Sequence, residues 1–267
     1  PEIQQEITTQ GHKTIYGALR KILRSRWQQE SGPVTLMCCD NVRSNGDRFN
    51  EAMRTFLVAC DDIALLQYYD SNTSAPNSMV DRITPMPTAE VVARVQSATG
   101  WADECPVMAE KYCRWVVEDN KFISSRPAWE KVDVEMVSSV HAYEEAKIRI
   151  LNATHSCIAW AGALLGCEYI HEALMKPAVR QYAYNYITED VIPSLTNCSS
   201  IDLPAYRDIV LDRFSNSYVK DTCARVSSDS FVKIPSFVLP TLIETLADKK
   251  RTPHASSVVY ALFFRFL

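Results

Sequence analysis

The stretch Cys157-Ile158-Ala159-Trp160-Ala161-Gly162-Ala163-Leu164-Leu165 is apolar on every side. A helix of that kind has to be buried in a core made by other elements. Leading into it is Tyr143-Glu144-Glu145-Ala146-Lys147-Ile148-Arg149-Ile150-Leu151-Asn152-Ala153-Thr154-His155-Ser156. Lys147, Asn152 and His155 fall at about 0°, 140° and 80° around an α-helix, so all three project from one side of it. An ammonium, an amide and an imidazole are costly where a helix enters apolar surroundings, unless partners or a task keep them there.

A chain of 267 residues, 47% hydrophobic and 22% charged, has the composition of a globular protein with room for a sizeable core. Its 28 basic and 32 acidic residues give a net charge of −4 without any long run of one sign. That balance favours neither nucleic acid nor an anionic membrane as a partner. No apolar run approaches the ~18 residues of a membrane span, so none is expected. Nine cysteines are scattered with no C-x-x-C pair and no ligand spacing. An odd number of thiols in apolar settings points to a reducing, cytoplasmic location and to no metal site. The start at Pro1 has neither an initiator Met nor a secretory signal. Phe263-Phe264-Arg265-Phe266-Leu267 stops inside an apolar pattern, so both ends read as cut.

Thr14 is placed to cap a helix carrying Ile15, Leu19, Ile22, Leu23 and Trp27 on one face. After Gly32-Pro33, Val34-Thr35-Leu36-Met37-Cys38-Cys39 reads as a nearly continuous apolar strand of a covered parallel sheet. Asn41 falls at its carboxyl end, where ligands of α/β sheets bind. A helix with Phe49, Met53, Phe56 and Leu57 comes next. Val132-Asp133-Val134-Glu135-Met136 alternates like a half-buried strand. Beyond it the pattern is helical throughout: Val179 to Ile192, Leu203 to Phe214, Phe237 to Leu246 and Ala255 to Leu267. The fold class expected is therefore α/β plus all-α, with an α/β domain over 1–137 and a helical domain over 138–267.

The chemistry offered by the opening helix starts from Lys147. Desolvation beside an apolar helix lowers an ammonium's pKa from ~10.4 towards working pH, which makes a general base. Asn152 could hold a reacting oxygen, with Asn41 donating from the α/β part. His155 could bind a neighbouring hydroxyl, and Glu144, one turn before Lys147, could pass the proton to solvent. That set suits metal-free oxidation of a secondary alcohol. Plainer explanations compete: a lysine in an early helical turn snorkels to water, and a lone helical histidine is commonly a hydrogen-bonded structural residue. Cys157 points away from His155 and reads as core. Asp81-Arg82 is either an internal ion pair or a substrate-facing carboxylate. Arg225 and Lys233 have solvated charge as their default.

Taken together, Cys39-Asp40-Asn41 with Asn45-Gly46, Pro76-Asn77-Ser78-Met79-Val80-Asp81-Arg82-Ile83-Thr84-Pro85, Trp115-Val116-Val117-Glu118-Asp119, Arg126-Pro127-Ala128-Trp129-Glu130-Lys131-Val132 and Lys147 to Ser156 resemble the polyol-specific long-chain dehydrogenase/reductases, the mannitol dehydrogenase family. The resemblance runs in order over nearly the whole chain. It implies the C-terminal part of a Rossmann-type cofactor domain followed by a mainly helical substrate domain, and a zinc-independent oxidation of a sugar alcohol with NAD, NADP remaining open. By motif position it makes Lys147 the general base. Asn41 and Asn152 become the pair that polarises the reacting oxygen, and Glu144 the proton relay. His155, Asp81, Arg225 and Lys233 become polyol contacts. Asn152 to Gly162, Tyr169-Ile170-His171-Glu172 and Ala205-Tyr206-Arg207-Asp208 look most like the D-arabinitol 4-dehydrogenase branch, with mannitol 2-dehydrogenase and fructuronate or tagaturonate reductases as alternatives.

One departure stands out. The family opens with a glycine-rich turn that cradles the cofactor pyrophosphate, whereas this chain has 7 glycines and no G-x-G-x-x-G. The N-terminal half of the cofactor domain is therefore expected to be absent, the cofactor-binding residues are unknown, and the fragment alone is expected to be inactive. A non-catalytic helical binding module is the competing reading. The resemblance and the lack of a large unexplained apolar surface point to a monomer.

Overall fold

The structure is a computed structural model and describes residues 2–9 and 11–267; Pro1, the first residue of the expected cofactor domain, and Gln10 lie outside it. The chain divides into two compact units, Pro1–Val80 with Arg114–His141, and Asp81–Cys113 with Ala142–Leu267.

The first unit alternates helices and short parallel strands. Its helices are α1 (Glu2–Thr9), α2 (Ile15–Gln28), α3 (Asn45–Ala59) and α4 (Ile63–Asn72). Thr14 caps α2, its side chain accepting from Gly17 N. Leu23, Met53, Phe56, Leu57, Leu65 and Tyr69 form the buried centre. Strand β1 (Val34–Thr35) pairs in parallel with β2 (Thr73–Ser74). Strands β3 (Ser78–Asp81), β4 (Arg114–Glu118) and β5 (Glu135–Val137) form a second sheet in that order, with β4 and β5 parallel.

Two strands are shorter than the apolar patterns suggest. The Val34–Cys39 pattern makes ladder bonds only as far as Leu36 N to Ser74 O, 2.7 Å. Its partner strand ends there, and Pro76 just beyond has no N–H to give. The Val132–Met136 pattern opens with a 3₁₀ turn, Trp129–Val132, and Asp133 at φ 63° breaks the extension, so β5 begins at Glu135.

The second unit holds α5 (Ala89–Thr99) and then a helical array: α6 (His141–Ala146), α7 (Ala153–Leu164), α8 (Ile170–Leu174), α9 (Pro177–Asn185), α10 (Ile192–Ser194), α11 (Leu203–Phe214), α12 (Cys223–Ser227), α13 (Ser230–Lys233), α14 (Leu239–Ala247) and α15 (His254–Phe266). Three π-helical turns are spliced between them, at Lys147–Asn152, Tyr186–Val191 and Ile234–Val238. Helix α7 sits at the centre with Cys157, Ile158, Ala159 and Trp160 fully buried. The buried indole keeps a partner, Trp160 Nε1 donating to Ser230 Oγ at 2.8 Å. Gly162 is required by close approach: a Cβ there would meet Ala173 Cβ at 2.7 Å and Cys223 Sγ at 2.8 Å.

Helices α13, the third π turn and α14 run on continuously as Ser230–Ala247, long and apolar enough by length and composition to cross a membrane. Its apolar content is masked in the sequence because Lys233, Pro235, Pro240 and Glu244 interrupt it. Val238, Thr241 and Thr245 are buried, and Glu244 pairs with Arg149 at 2.6 Å.

Candidate functional site

The helix that carries Glu144, Lys147 and Asn152 is not a plain α-helix. From Lys147 to Asn152 its turns widen, and Ala153 N bonds to Ile148 O, five residues back. Such π turns gather at functional sites. In an α-helix Lys147 and Asn152 would stand about 140° apart. The wider turn places residues five apart nearly above one another, bringing the ammonium and the amide closer around the axis. Arg149 anchors the turn from its far side, with Thr241 Oγ1 at 3.0 Å and Ser194 Oγ at 2.7 Å.

Lys147 and Glu144 are both buried, and the second unit puts charge of both signs around the ammonium. Burial is the largest influence and lowers the Lys147 pKa; Asp81 opposes that, Arg213 adds to it, and Glu144 opposes it. The net direction is towards a neutral amine, as a base requires.

Asp81 is itself held. Arg213 Nη2 donates to its Oδ1 at 2.7 Å and Nη1 to its Oδ2 at 3.0 Å, while Tyr206 OH donates to Oδ2 at 2.7 Å. Arg213 also grips Glu110, Nη2 to Oε1 at 2.6 Å and Nε to Oε2 at 3.0 Å, and stacks over the Tyr112 ring at 4.0 Å. Asp81, Glu110, Tyr206 and Arg213 are all buried. Asp81 thus forms an internal ion pair, as one sequence alternative had it, but with Arg213. Its neighbour Arg82 bonds to the Glu110 carbonyl at 3.0 Å.

A second cluster surrounds His155. The ring stacks on Phe214 at 4.6 Å, and its Nε2 lies 3.5 Å from Asp221 Oδ2. Burial pushes the His155 pKa down to about 4; Asp221 opposes this, while Arg225, Lys233 and Arg213 reinforce it. The contact with Asp221 is therefore that of a neutral imidazole with a carboxylate already claimed by Arg225. Arg225 Nε donates to Asp221 Oδ1 at 2.6 Å, and Arg225 Nη2 also bonds to that carboxylate. The segment is fixed locally: Thr222 caps α12 by accepting from Arg225 N at 3.1 Å. Lys233 Nζ bonds to Val226 O at 2.5 Å, and its pKa is lowered by burial, which Asp229 opposes.

Asn41 belongs to the first unit. It lies in the loop six residues past β1 rather than at a strand end, and that loop is pinned by Asn45, whose buried amide donates to Cys38 O at 3.0 Å and Asp40 O at 2.9 Å and accepts from Ser78 N at 2.9 Å. Gly46 beside it admits no side chain, because a Cβ would lie 2.5 Å from the Ala75 and Pro76 carbonyls.

The second unit therefore gathers Glu144, Lys147 and Asp81 in one cluster and His155, Arg225 and Lys233 in another, with Asn152 part-buried on the helix they share. Sequence reasoning missed Asp221, Arg213 and Glu110 as members. Asp221 stood one helical turn before Arg225, a spacing that suggests a pair. Arg213 carried no local signal, since Asp81 lies 132 residues away.

Among the described residues no group of three or more His, Cys, Asp and Glu side chains is arranged to hold a metal ion. Gly46, at the start of α3, is filled against by Ala75 and Pro76, and Gly32, Gly100 and Gly166 occupy open left-handed turns.

Models of the mannitol dehydrogenase Rossmann domain and the mannitol dehydrogenase C-terminal domain match residues 3–131 and 139–267. A D-arabinitol 4-dehydrogenase from Ralstonia nicotianae is 56% identical over 254 residues, 95% of this chain and 54% of that protein. One from Klebsiella pneumoniae is 50% identical over 268 residues, 100% of this chain and 58% of that protein. The structure of Pseudomonas fluorescens mannitol 2-dehydrogenase, a ternary complex with NAD and D-mannitol, superposes with a TM-score of 0.85 at 35% identity, covering 100% of this chain and 54% of that one. The chain spans about half the length of the curated relatives it matches. With both domains matched and relatives at this level of identity, the chain belongs to the mannitol dehydrogenase family.

Proposed function

We propose that the protein oxidises a secondary hydroxyl of a sugar alcohol to the ketose, D-arabinitol to D-xylulose first among them, with NAD as the electron acceptor. The observation that carries this reading is the buried Lys147, held largely out of water beside charged partners that leave its pKa lowered. In this reading the neutral amine takes the hydroxyl proton, and Glu144, on the same helix face, passes it outward. Asn152 donates to the oxygen as it becomes a carbonyl, the role that the family resemblance also gives Asn41. A neutral His155 accepts from, or donates to, a neighbouring hydroxyl. Arg225 and Lys233 supply donors further along the polyol, and Asp81 orders the base.

The choice of D-arabinitol is supported by the identities, 56% and 50% to the two D-arabinitol 4-dehydrogenases against 36% to a Saccharomyces cerevisiae mannitol dehydrogenase. D-Mannitol is the next substrate in line, then fructuronate or tagaturonate taken in the reductive direction. The NAD assignment draws on the NAD complex of the Pseudomonas fluorescens protein, with NADP as the alternative. The domain reading is a cofactor domain over 1–137 and a substrate domain over 138–267, in a monomeric cytoplasmic enzyme.

The test is turnover of the full-length protein on D-arabinitol, D-mannitol and fructuronate with each nicotinamide. The expected result is the highest kcat/KM on D-arabinitol with NAD. Activity confined to fructuronate would replace the polyol reading, and inactivity on all three would remove it.

A further inference from the structure

The Asp81–Glu110–Tyr206–Arg213 cluster is more elaborate than a substrate contact needs. Both Asp81 oxygens are engaged by one guanidinium, and a third bond comes from Tyr206. Arg213 is in turn fixed by Glu110, whose Oε1 also accepts from Ile83 N at 2.6 Å. Two buried carboxylates and one guanidinium leave a net negative cluster, and α11, which carries Arg213, packs on the π turn that carries Lys147. A bare buried carboxylate at that place would favour the ammonium and disable it as a base.

We propose that Arg213 is a positioning residue for Lys147: by holding the Asp81 carboxylate turned onto itself, it lets the amine work beside a neutralised acid rather than a bare one. Glu110 keeps the guanidinium in place, and Tyr206 fixes the carboxylate from the other side. The inference rests on the reading of Lys147 as the base. The charged groups acting on Lys147 are Asp81 at the end of β3, Arg213 on α11 and Glu144 on its own helix. The other elements packed on this π turn bring His155, Tyr186 and Asp190, and Asp190 is engaged with Ser256 N at 2.6 Å.

The experiment is competitive acetylation of the full-length protein with acetic anhydride across pH, the Lys147 peptide being quantified by mass spectrometry. It is run on wild type, Arg213→Gln, Asp81→Asn and the double variant, each checked by circular dichroism and Tm. Arg213→Gln should move the labelling midpoint of Lys147 up by about one pH unit, and Asp81→Asn should move it down by a similar amount. The double variant should return close to wild type. The pH dependence of kcat should follow the same order. If Arg213→Gln does not fold, the double variant compared with Asp81→Asn decides, and loss of Arg213 should raise the midpoint there by the same step. Midpoints of the folded variants that coincide with wild type would overturn the proposal, whatever the rates do. A midpoint that moves while the pH–rate profile stays put would uphold the charge device and remove Lys147 as the base.

Discussion

The two charged clusters of the helical unit are built on opposite plans. Around Asp81 every member is buried, and each charge is spent on another member of the cluster. Around His155 only Asp221 is deeply buried; the Arg225 side chain keeps 43% of its surface, and its guanidinium is tied on one side alone. In the first cluster both carboxylates are engaged by one guanidinium, which suits a part played through the field it sets. The second has donors to spare and a carboxylate that aims them. On the polyol reading proposed above, that difference separates adjusting the base from gripping the substrate.

The division can be broken experimentally. Lys147→Ala should have the largest effect, lowering kcat at neutral pH by about 10²–10⁴-fold, the usual scale for loss of a positioned base, with KM little changed. Arg225→Ala should act on the other side of the division. It should raise KM for D-arabinitol by about 10–100-fold, the scale of one or two charge-assisted hydrogen bonds, with kcat nearly intact. Equal and small effects of both on kcat would erase the distinction between the clusters. Asp221→Asn should follow Arg225→Ala in kind and fall short of it in size, a rise in KM of about tenfold or less, because the guanidinium survives but loses its aim.

A further expected effect is on stability rather than on turnover. His155 in the fold titrates at about 4 against an ordinary 6.5. A depressed pKa means the unfolded chain takes up the proton first as pH falls. Stability should therefore be full above pH 6.5 and decline as pH drops towards 4. For this buried ring the difference is on the order of 3 kcal/mol. Thermal melts of wild type and His155→Gln across that range should diverge, the variant losing less. Parallel curves would show the ring to be as solvated as Arg225.

Most of the helical unit was legible because its periodicities are long: Leu203 to Phe214 reads as a helix and is one. The cap at Thr14 was legible for the same local reason. Strand lengths were not, since β1 ends where its partner ends, and the partner's register is written elsewhere in the chain. Within the site, Lys147 and His155 announced themselves as polar groups on an apolar helix. Arg213 did not, because a charge on an amphipathic helix is ordinarily solvated, and nothing near it says that two distant carboxylates will close over it. The π turn was invisible as well: Lys147-Ile148-Arg149-Ile150-Leu151-Asn152 has the composition of any α-helix.

That turn has a genetic consequence. A π turn holds one residue more than an α-helix needs for the same rise, so the extra residue is absorbed locally and the helical segments on either side keep their phase. Removing one codon from 148–151 would let the helix close back to ordinary turns, with Lys147 then four residues before the asparagine and about 40° from it around the axis. An extra or missing codon in the α-helical stretch of α7 has no such turn to absorb it and would rotate the residues on one side of it by about 100° relative to the other. The site is therefore encoded partly by a count of residues, and a library of single-residue insertions and deletions would show where the helix tolerates a change of count and where it does not.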